Sequence, residues 1–447
     1  RRREPPHARM IAPILARPAA AGFWLAVVLT GIGTGLGAAA LTGLLELVQH
    51  SVWGGEGLNL LQAASHAAAW QRVAILVGAG LVTGAGQLLL THLTSANGIE
   101  ITAAIWFFAG RMPALRTLGS ATLSIVIVGM GAALGREGAP KQAGAVIANT
   151  MSDRISLSDE QRRLLVACGA GAGMAAAYGV PLGGALFALE VLRGELALRY
   201  VLPALVTSLV ATGVSWLFLP DAPLYLIPRY AGSPCSVAFA LLAGPIIGFV
   251  SVAYVRAVAW ADRHKPTGWR RFAMPVLVLG CLGVASIRLP QLLGNGRDVS
   301  ELAFNGRVDA LLLVSLLLLR PVATVACLGS GAPGGLFTPS LTVGAMLGGV
   351  LGLGWSWLWP GEPAGLFAVL GAAAMLAATT QGPISTIVLM MEMTGHARSA
   401  VVPTLLIVAG ATLIARTIEP RSVYDARLDD AQVAERQRAR DRSSADG

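Results

Sequence analysis

One interruption constrains this chain more than any other feature. It is Leu134-Gly135-Arg136-Glu137-Gly138-Ala139-Pro140, where an acid and a base stand between glycines inside a long apolar stretch. Around it, apolar residues make up 55% of the chain and charged residues only 13%, against about 25% charged in soluble proteins. The mean hydropathy is +0.66. These values describe a polytopic membrane protein, and a carboxylate at membrane depth is costly enough to mark a functional site by default. The flanking glycines release the backbone from helical geometry, and Pro140 suits the first turn of a new helix. The spacing predicts a helix ending near Leu134, bared backbone, and a new helix opening at Glu137–Lys141. Such an opening turns N–H groups toward the gap and makes an anion site there.

A surface loop with an exposed charge pair is the bland alternative. It is weakened by a second break of the same kind, Gly331-Ala332-Pro333-Gly334-Gly335-Leu336-Phe337-Thr338-Pro339. Lipid contact requires helical backbone, and 54 glycines suit helices packed through small residues. The formal charge of +9 is spread over Arg1–Arg3, the connections and the tail. It reads as a topology signal, with no nucleic-acid partner. Cys168, Cys235, Cys281 and Cys327 are far apart and no HExxH occurs, so no metal site and no disulfide framework is indicated. Phe23–Leu47 is too long for a signal-peptide core and reads as a retained first span.

In order, residues 1–20 form a basic lead-in, 21–232 a first half, 233–424 a second half, and 425–447 a charged tail. Asn97–Ala109, Lys141–Met151 and Pro181–Leu192 are apolar but short of the ~20 residues a crossing needs. Helices of that length meet near the midplane. Trp53–Gln71 reads as a connection with few charges, Pro290–Phe304 as irregular, Pro220–Gly232 as surface, and Asp262–Arg271 as a basic cytoplasmic connection. Both ends fall on the Arg-rich side.

The halves repeat. Pro140 follows Gly135 by five positions, and Pro339 follows Gly334 by five. Each break is followed by a small-residue helix, an Ala-rich helix, and a Pro nine residues before a Glu: Pro181 with Glu190, Pro383 with Glu392. The offset is 199 at Pro140/Pro339 and 202 at Pro181/Pro383. Repeats with broken helices meeting at the midplane are a transporter plan. Spacing alone does not tell parallel from inverted repeats.

Gly135-Arg136-Glu137-Gly138, Ser330 through Pro339, and Tyr424 after the last span, in this order and spacing, resemble the CLC chloride channels and transporters. Ala175 through Tyr178, Glu190-Val191-Leu192 and Glu392 through Gly395 are most similar to the bacterial ClcB-like branch. The resemblance covers about Gly22 to Tyr424. It implies an all-α, inverted-repeat fold of about eighteen helices. It also implies a homodimer with one pore per subunit, a multi-pass place in the bacterial inner membrane with both termini cytoplasmic, and no CBS domains. The expected activity is transport of chloride or another halide as substrate, with protons as a second partner in the exchanger alternative, no cofactor and no enzymatic step. The family's gating glutamate falls on Glu137, which would occupy an anion site when ionised and leave it when protonated. Gly135, Arg136 and Gly138 surround it. The amides of Leu336 and Phe337 would bind the central anion, and the Tyr424 hydroxyl would reach it from inside.

Two departures bear on substrate and coupling. The family's Gly-Ser-Gly-Ile-Pro is here Ser95-Ala96-Asn97-Gly98-Ile99-Glu100. Its anion-binding Ser matches Ala96 without a gap and Asn97 with one deletion, so fluoride and nitrate stay beside chloride. The inner proton glutamate of the family's antiporters is Val191, which holds no proton. Glu190 points about 100° away from that position. A passive channel, a proton-coupled exchanger (for chloride or fluoride) and, remotely, an intramembrane enzyme using Glu137 remain alternatives. Lys141 either concentrates anions through its field or snorkels to solvent. Arg320 either lines a vestibule or pairs with a carboxylate, and Glu392 is expected to tie helix ends.

Overall fold

The computed structural model describes residues 18–54, 57–94, 98–396 and 400–425, with 428, 431 and 433. Most of the lead-in and tail, and both Ala96 and Asn97, lie outside these residues. Among the described residues the chain forms seventeen α-helices, a π-helical segment and a 3₁₀ turn, and no strand. The first half holds α1 (Pro18–Trp53), α2 (Leu60–His66), α3 (Ala69–Leu93), α4 (Ile101–Phe107), α5 (Ala114–Gly129), α6 (Gly138–Arg154), α7 (Asp159–Tyr178), α8 (Pro181–Phe187) and α9 (Leu198–Ser215). The second holds α10 (Pro234–Arg263), α11 (Arg270–Ala285), α12 (Arg297–Phe304), α13 (Ala310–Gly329), α14 (Phe337–Leu358), α15 (Ala364–Thr380), α16 (Pro383–Thr394) and α17 (Val401–Ile418). Seven of these, α1, α3, α9, α10, α13, α14 and α17, are long and apolar enough to cross a membrane.

Packing follows the repeat. Helix α6 lies on α7 as α14 lies on α15, α1 on α9 as α10 on α17, and α3 meets α11 across the halves. The close crossings depend on missing side chains. A Cβ at Gly144 would stand 2.0 Å from the Gly169 carbonyl oxygen, and one at Gly344 would stand 2.5 Å from that of Gly371. Small residues here let the backbones approach, which compensates for the weak hydrophobic drive between helices in lipid.

The first break begins earlier than expected. Helix α5 ends at Gly129, not near Leu134, because Gly131 takes φ +105 and turns the chain out of the helix. The Ala132 N–H then closes the end on the Ile127 carbonyl at 3.0 Å. Gly331 does the same at φ +97 after α13. The two released segments meet each other. Gly135 and Gly335 form an antiparallel bridge, each N–H donating to the other's carbonyl at 2.8 Å. The two released segments therefore run antiparallel where they meet.

A second reciprocal contact ties the halves. The Glu190 carboxylate accepts N–H bonds from Ile384 (3.1 Å) and Ser385 (2.6 Å) at the start of α16. Glu392 accepts from Leu182 (3.0 Å) and Gly183 (2.6 Å) at the start of α8. Each glutamate fills the positive end of the opposite half's helix, where unpaired N–H groups need acceptors. Glu392→Ala and Glu190→Ala should each cost about 1.5–3 kcal/mol, the range for hydrogen bonds to a charged group. Equal losses are expected in thermal melts of the purified protein, because the two geometries match; a loss from one variant alone would contradict the reciprocal reading.

The Trp53–Gln71 connection carries the short helix α2, capped by Asn59, whose side chain accepts from the Gln62 N–H. Two sequence readings are corrected here. Pro290–Phe304 is not irregular throughout. Gly296 at φ +93 delays the start of α12, which then runs to Phe304. Arg320 neither lines a vestibule nor pairs with a carboxylate. It is fully buried and donates to the carbonyls of Gln291, Leu292, Leu293 and Gly294. Its guanidinium thereby closes the C-terminal end of the 3₁₀ turn Pro290–Leu292.

Candidate functional site

Glu137 is the last residue before α6 and is completely buried. Its side chain does not cap its own helix. It turns across the glycine bridge to the start of α14. There Oε1 accepts the Phe337 N–H at 2.7 Å, and Oε2 accepts the Thr338 hydroxyl at 3.1 Å. Tyr178, the last residue of α7, donates its hydroxyl to Oε2 at 3.3 Å and lies 3.0 Å from the Thr338 oxygen. The positive end of α14 and two hydroxyls thus offset the burial of the carboxylate. The notch is shaped for it. A Cβ on Gly135 would lie 2.2 Å from both carboxylate oxygens, and one on Gly335 would lie 2.1 Å from Oε1.

Three oxygen–oxygen contacts join Glu137, Tyr178 and Thr338, and the two hydroxyls bring two protons.

Among the described residues no ion pair joins Arg136 to Glu137. The Arg136 guanidinium lies over the Tyr178 ring, 5.2 Å from the centroid. Gly135 and Gly138 form the notch with Gly335, and Phe337 supplies the amide. Leu336 is the residue before α14. Tyr424 is linked to Phe337 through ring edges: Phe187 stands edge-on to Phe337 at 6.4 Å and to Tyr424 at 5.7 Å. The expected anion residues Ala96 and Asn97 fall outside the described residues.

Lys141 gains weight from the structure. It stands one helical turn beyond Glu137 on α6, is only 4% exposed, and so does not snorkel to solvent. Its Nζ donates to the Tyr424 Oη at 3.2 Å and lies over the Tyr424 ring at 4.4 Å and the Phe187 ring at 5.2 Å. A cavity of ≈ 50 Å³ is lined by Lys141, Tyr424, Gly138, Gly335, Leu336 and Glu100, among others. A wider cavity of ≈ 500 Å³, with Arg116, Lys265 and Arg271 on its wall, shares Glu100, Gly138, Gln142 and Gly334 with the small one. The two spaces adjoin at these shared residues. Val191 is buried and apolar.

Sequence reasoning missed Tyr178 and Thr338 as partners of Glu137. The available signals were a single large polar ring closing an Ala/Gly-rich helix, and a hydroxyl in the first turn of the second broken helix.

A family model described as voltage gated chloride channel matches residues 87–416. A voltage-gated ClC-type chloride channel ClcB of Citrobacter koseri is 31% identical over 385 residues, covering 82% of this chain and 89% of that protein. An H(+)/Cl(-) exchange transporter ClcA of Cronobacter sakazakii is 32% identical over 342 residues, covering 72% and 70%. Among solved structures, a slow cyanobacterial Cl-/H+ antiporter superposes with a TM-score of 0.77 at 21% identity, covering 93% of this chain and 99% of that one. A CLC-type fluoride/proton antiporter superposes with a TM-score of 0.70 at 20% identity, covering 91% and 98%.

Proposed function

This chain belongs to the voltage-gated chloride channel family, and we propose that it carries chloride across a lipid bilayer through a pore gated by Glu137. One observation carries the gating reading: a titratable carboxylate sits on the Phe337 N–H at the positive end of α14. A helix N-terminus is a ready anion site, so an ionised Glu137 and a transported anion compete for one place. Protonation removes the negative charge that makes the side chain a competitor. Gly135, Gly138 and Phe337 border that place, and Leu336 and Tyr424 line the cavity next to it. Arg136 supports it through Tyr178.

Exchange of chloride for protons is the second reading. It is favoured by relatives named as exchange transporters, and opposed by the apolar Val191. Fluoride is the alternative substrate. Flux into proteoliposomes with simultaneous pH recording, across chloride, fluoride and nitrate, separates these readings. A protein that moves none of these anions would overturn them together. We place the protein in a bacterial inner membrane as a homodimer with both termini cytoplasmic. Residues 21–232 and 233–424 act as its repeat halves, and it uses no cofactor beyond the transported ion.

Tyr424→Ala should weaken chloride binding about tenfold to a hundredfold, the value of one hydrogen bond to a charged group. Calorimetric titration of the purified variant checks this, and unaltered binding would remove Tyr424 from the pathway.

A further inference from the structure

We propose that the hydroxyls of Tyr178 and Thr338 are direct ligands of the transported anion in the place the Glu137 carboxylate occupies, and that they favour anions that accept strong hydrogen bonds. This inference rests on the anion-pore reading above and adds two ligands and a selectivity to it.

The carboxylate oxygens stand in for a bound anion, and an anion that replaces them inherits their donors. Oε1 accepts the Phe337 N–H at 2.7 Å. Oε2 accepts the Thr338 hydroxyl at 3.1 Å and the Tyr178 hydroxyl at 3.3 Å. Both of these side chains are buried. Among the described residues, each hydroxyl has only the Glu137 carboxylate and the other hydroxyl, 3.0 Å away, as acceptors. Once the carboxylate leaves, one proton can bridge the two oxygens, and the other has no acceptor there. The Phe337 N–H loses its acceptor as well. Buried donors without acceptors are costly, so the vacated place calls for an anion. The Arg136 guanidinium, 5.2 Å from the Tyr178 ring centroid, adds positive charge nearby.

The repeat separates this pair from the packing of the halves. Its offsets match Tyr178 to Thr380 and Thr338 to Ala139. Thr380 donates to the Leu376 carbonyl of its own helix at 2.7 Å, and Ala139 has no hydroxyl. The matching positions therefore pack without such a pair. Space and donor number set the preference. A Cβ on Gly135 or Gly335 would lie 2.2 or 2.1 Å from the carboxylate oxygens, so the room is that of one small ion. One N–H and two O–H groups, carried on buried residues, replace part of the water that the ion sheds. A smaller ion approaches these donors more closely and gains more from them. Chloride therefore gains more than iodide.

The test uses Glu137→Ala, which removes the competing carboxylate and leaves its place to the anion. Chloride and iodide affinities are read by titration calorimetry on the purified protein. Adding Tyr178→Phe or Thr338→Val removes one hydroxyl and keeps the shape. Each should weaken chloride binding about tenfold, the lower value for a hydrogen bond to a charged group. Iodide binding should fall by less than about threefold, because the larger ion holds these donors more weakly. Crystals of Glu137→Ala soaked in bromide should show an anomalous peak in contact with the Phe337 N, the Thr338 Oγ1 and the Tyr178 Oη. That measurement decides the matter if a variant lacking a hydroxyl does not fold. Unchanged chloride affinity in either hydroxyl variant overturns the proposal, and so does an equal loss for chloride and iodide. A bromide peak at the Phe337 amide with both hydroxyls turned away overturns it too. In each of these cases Glu137→Ala still binds anions and the pore reading stands. If neither Glu137→Ala nor the wild type binds or moves any anion, the pore reading itself falls.

Discussion

Replacing Glu137 by Gln should leave chloride flux running and reduce coupled proton movement to background. In the protein the carboxylate holds the Phe337 N–H at 2.7 Å and faces two hydroxyls. Gln keeps the shape and an acceptor for that N–H, but it carries neither charge nor exchangeable acid proton. A neutral amide competes poorly with a halide for the positive end of α14, because only the anion gains the full interaction with the helix terminus. Chloride flux should therefore equal or exceed that of the wild type. Its pH dependence should flatten, because the amide exchanges no acid proton. Any proton movement against a chloride gradient should fall at least about tenfold, since general acid–base transfer needs a group that exchanges protons. Proteoliposomes with a pH electrode and a chloride electrode report both quantities together. Proton transport at the wild-type rate in this variant would remove Glu137 from the gate.

Gly135→Ala should produce a related phenotype without touching the glutamate. The three atoms nearest to a Cβ at this position all belong to the Glu137 carboxyl group, the oxygens at 2.2 Å and the carbon at 2.5 Å. These are the far end of a flexible side chain, so the carboxylate can move while the bridge to Gly335 stays. Overlap at 2.2 Å lies far inside van der Waals contact, and a displaced rotamer costs only about 0.5–1.5 kcal/mol. The methyl group should evict the carboxylate from the Phe337 amide and leave that amide to the anion. Faster chloride flux, weaker pH dependence and tighter halide binding should accompany a melting temperature close to that of the wild type. Gly144→Ala provides the contrast. There the added carbon meets the Gly169 backbone oxygen at 2.0 Å, which cannot swing away, and folded protein should be lost. Wild-type gating in a folded Gly135→Ala would mean that the carboxylate does not rest in the notch.

Much of this architecture was legible in residue order, for local reasons. Apolar run lengths separate crossing helices such as α13 from α4, which is too short. Gly and Pro mark where helices stop, and the paired Pro–Glu spacing exposes the repeat. Boundaries were less legible. Helix α5 stops at Gly129 because Gly131 takes a positive φ, and nothing in an apolar run tells which glycine will do so. Arg320 shows the same limit. A lone arginine in an apolar helix has many possible partners, and the carbonyls it serves are chosen by the path of the preceding turn.

What residue order determined by itself is the helical membrane class, the two breaks, and the presence of an acid at the first of them. Those follow from hydropathy and backbone freedom, which act within a few residues. Tertiary structure alone decided the partners. Glu137 finds Phe337 across 200 residues, Lys141 finds Tyr424 across 283, and Glu190 and Glu392 exchange helix ends across the halves. Such pairings depend on how two distant segments are set against each other. That setting comes from glycine-to-backbone packing along whole helices, so it exists only once the helices have docked.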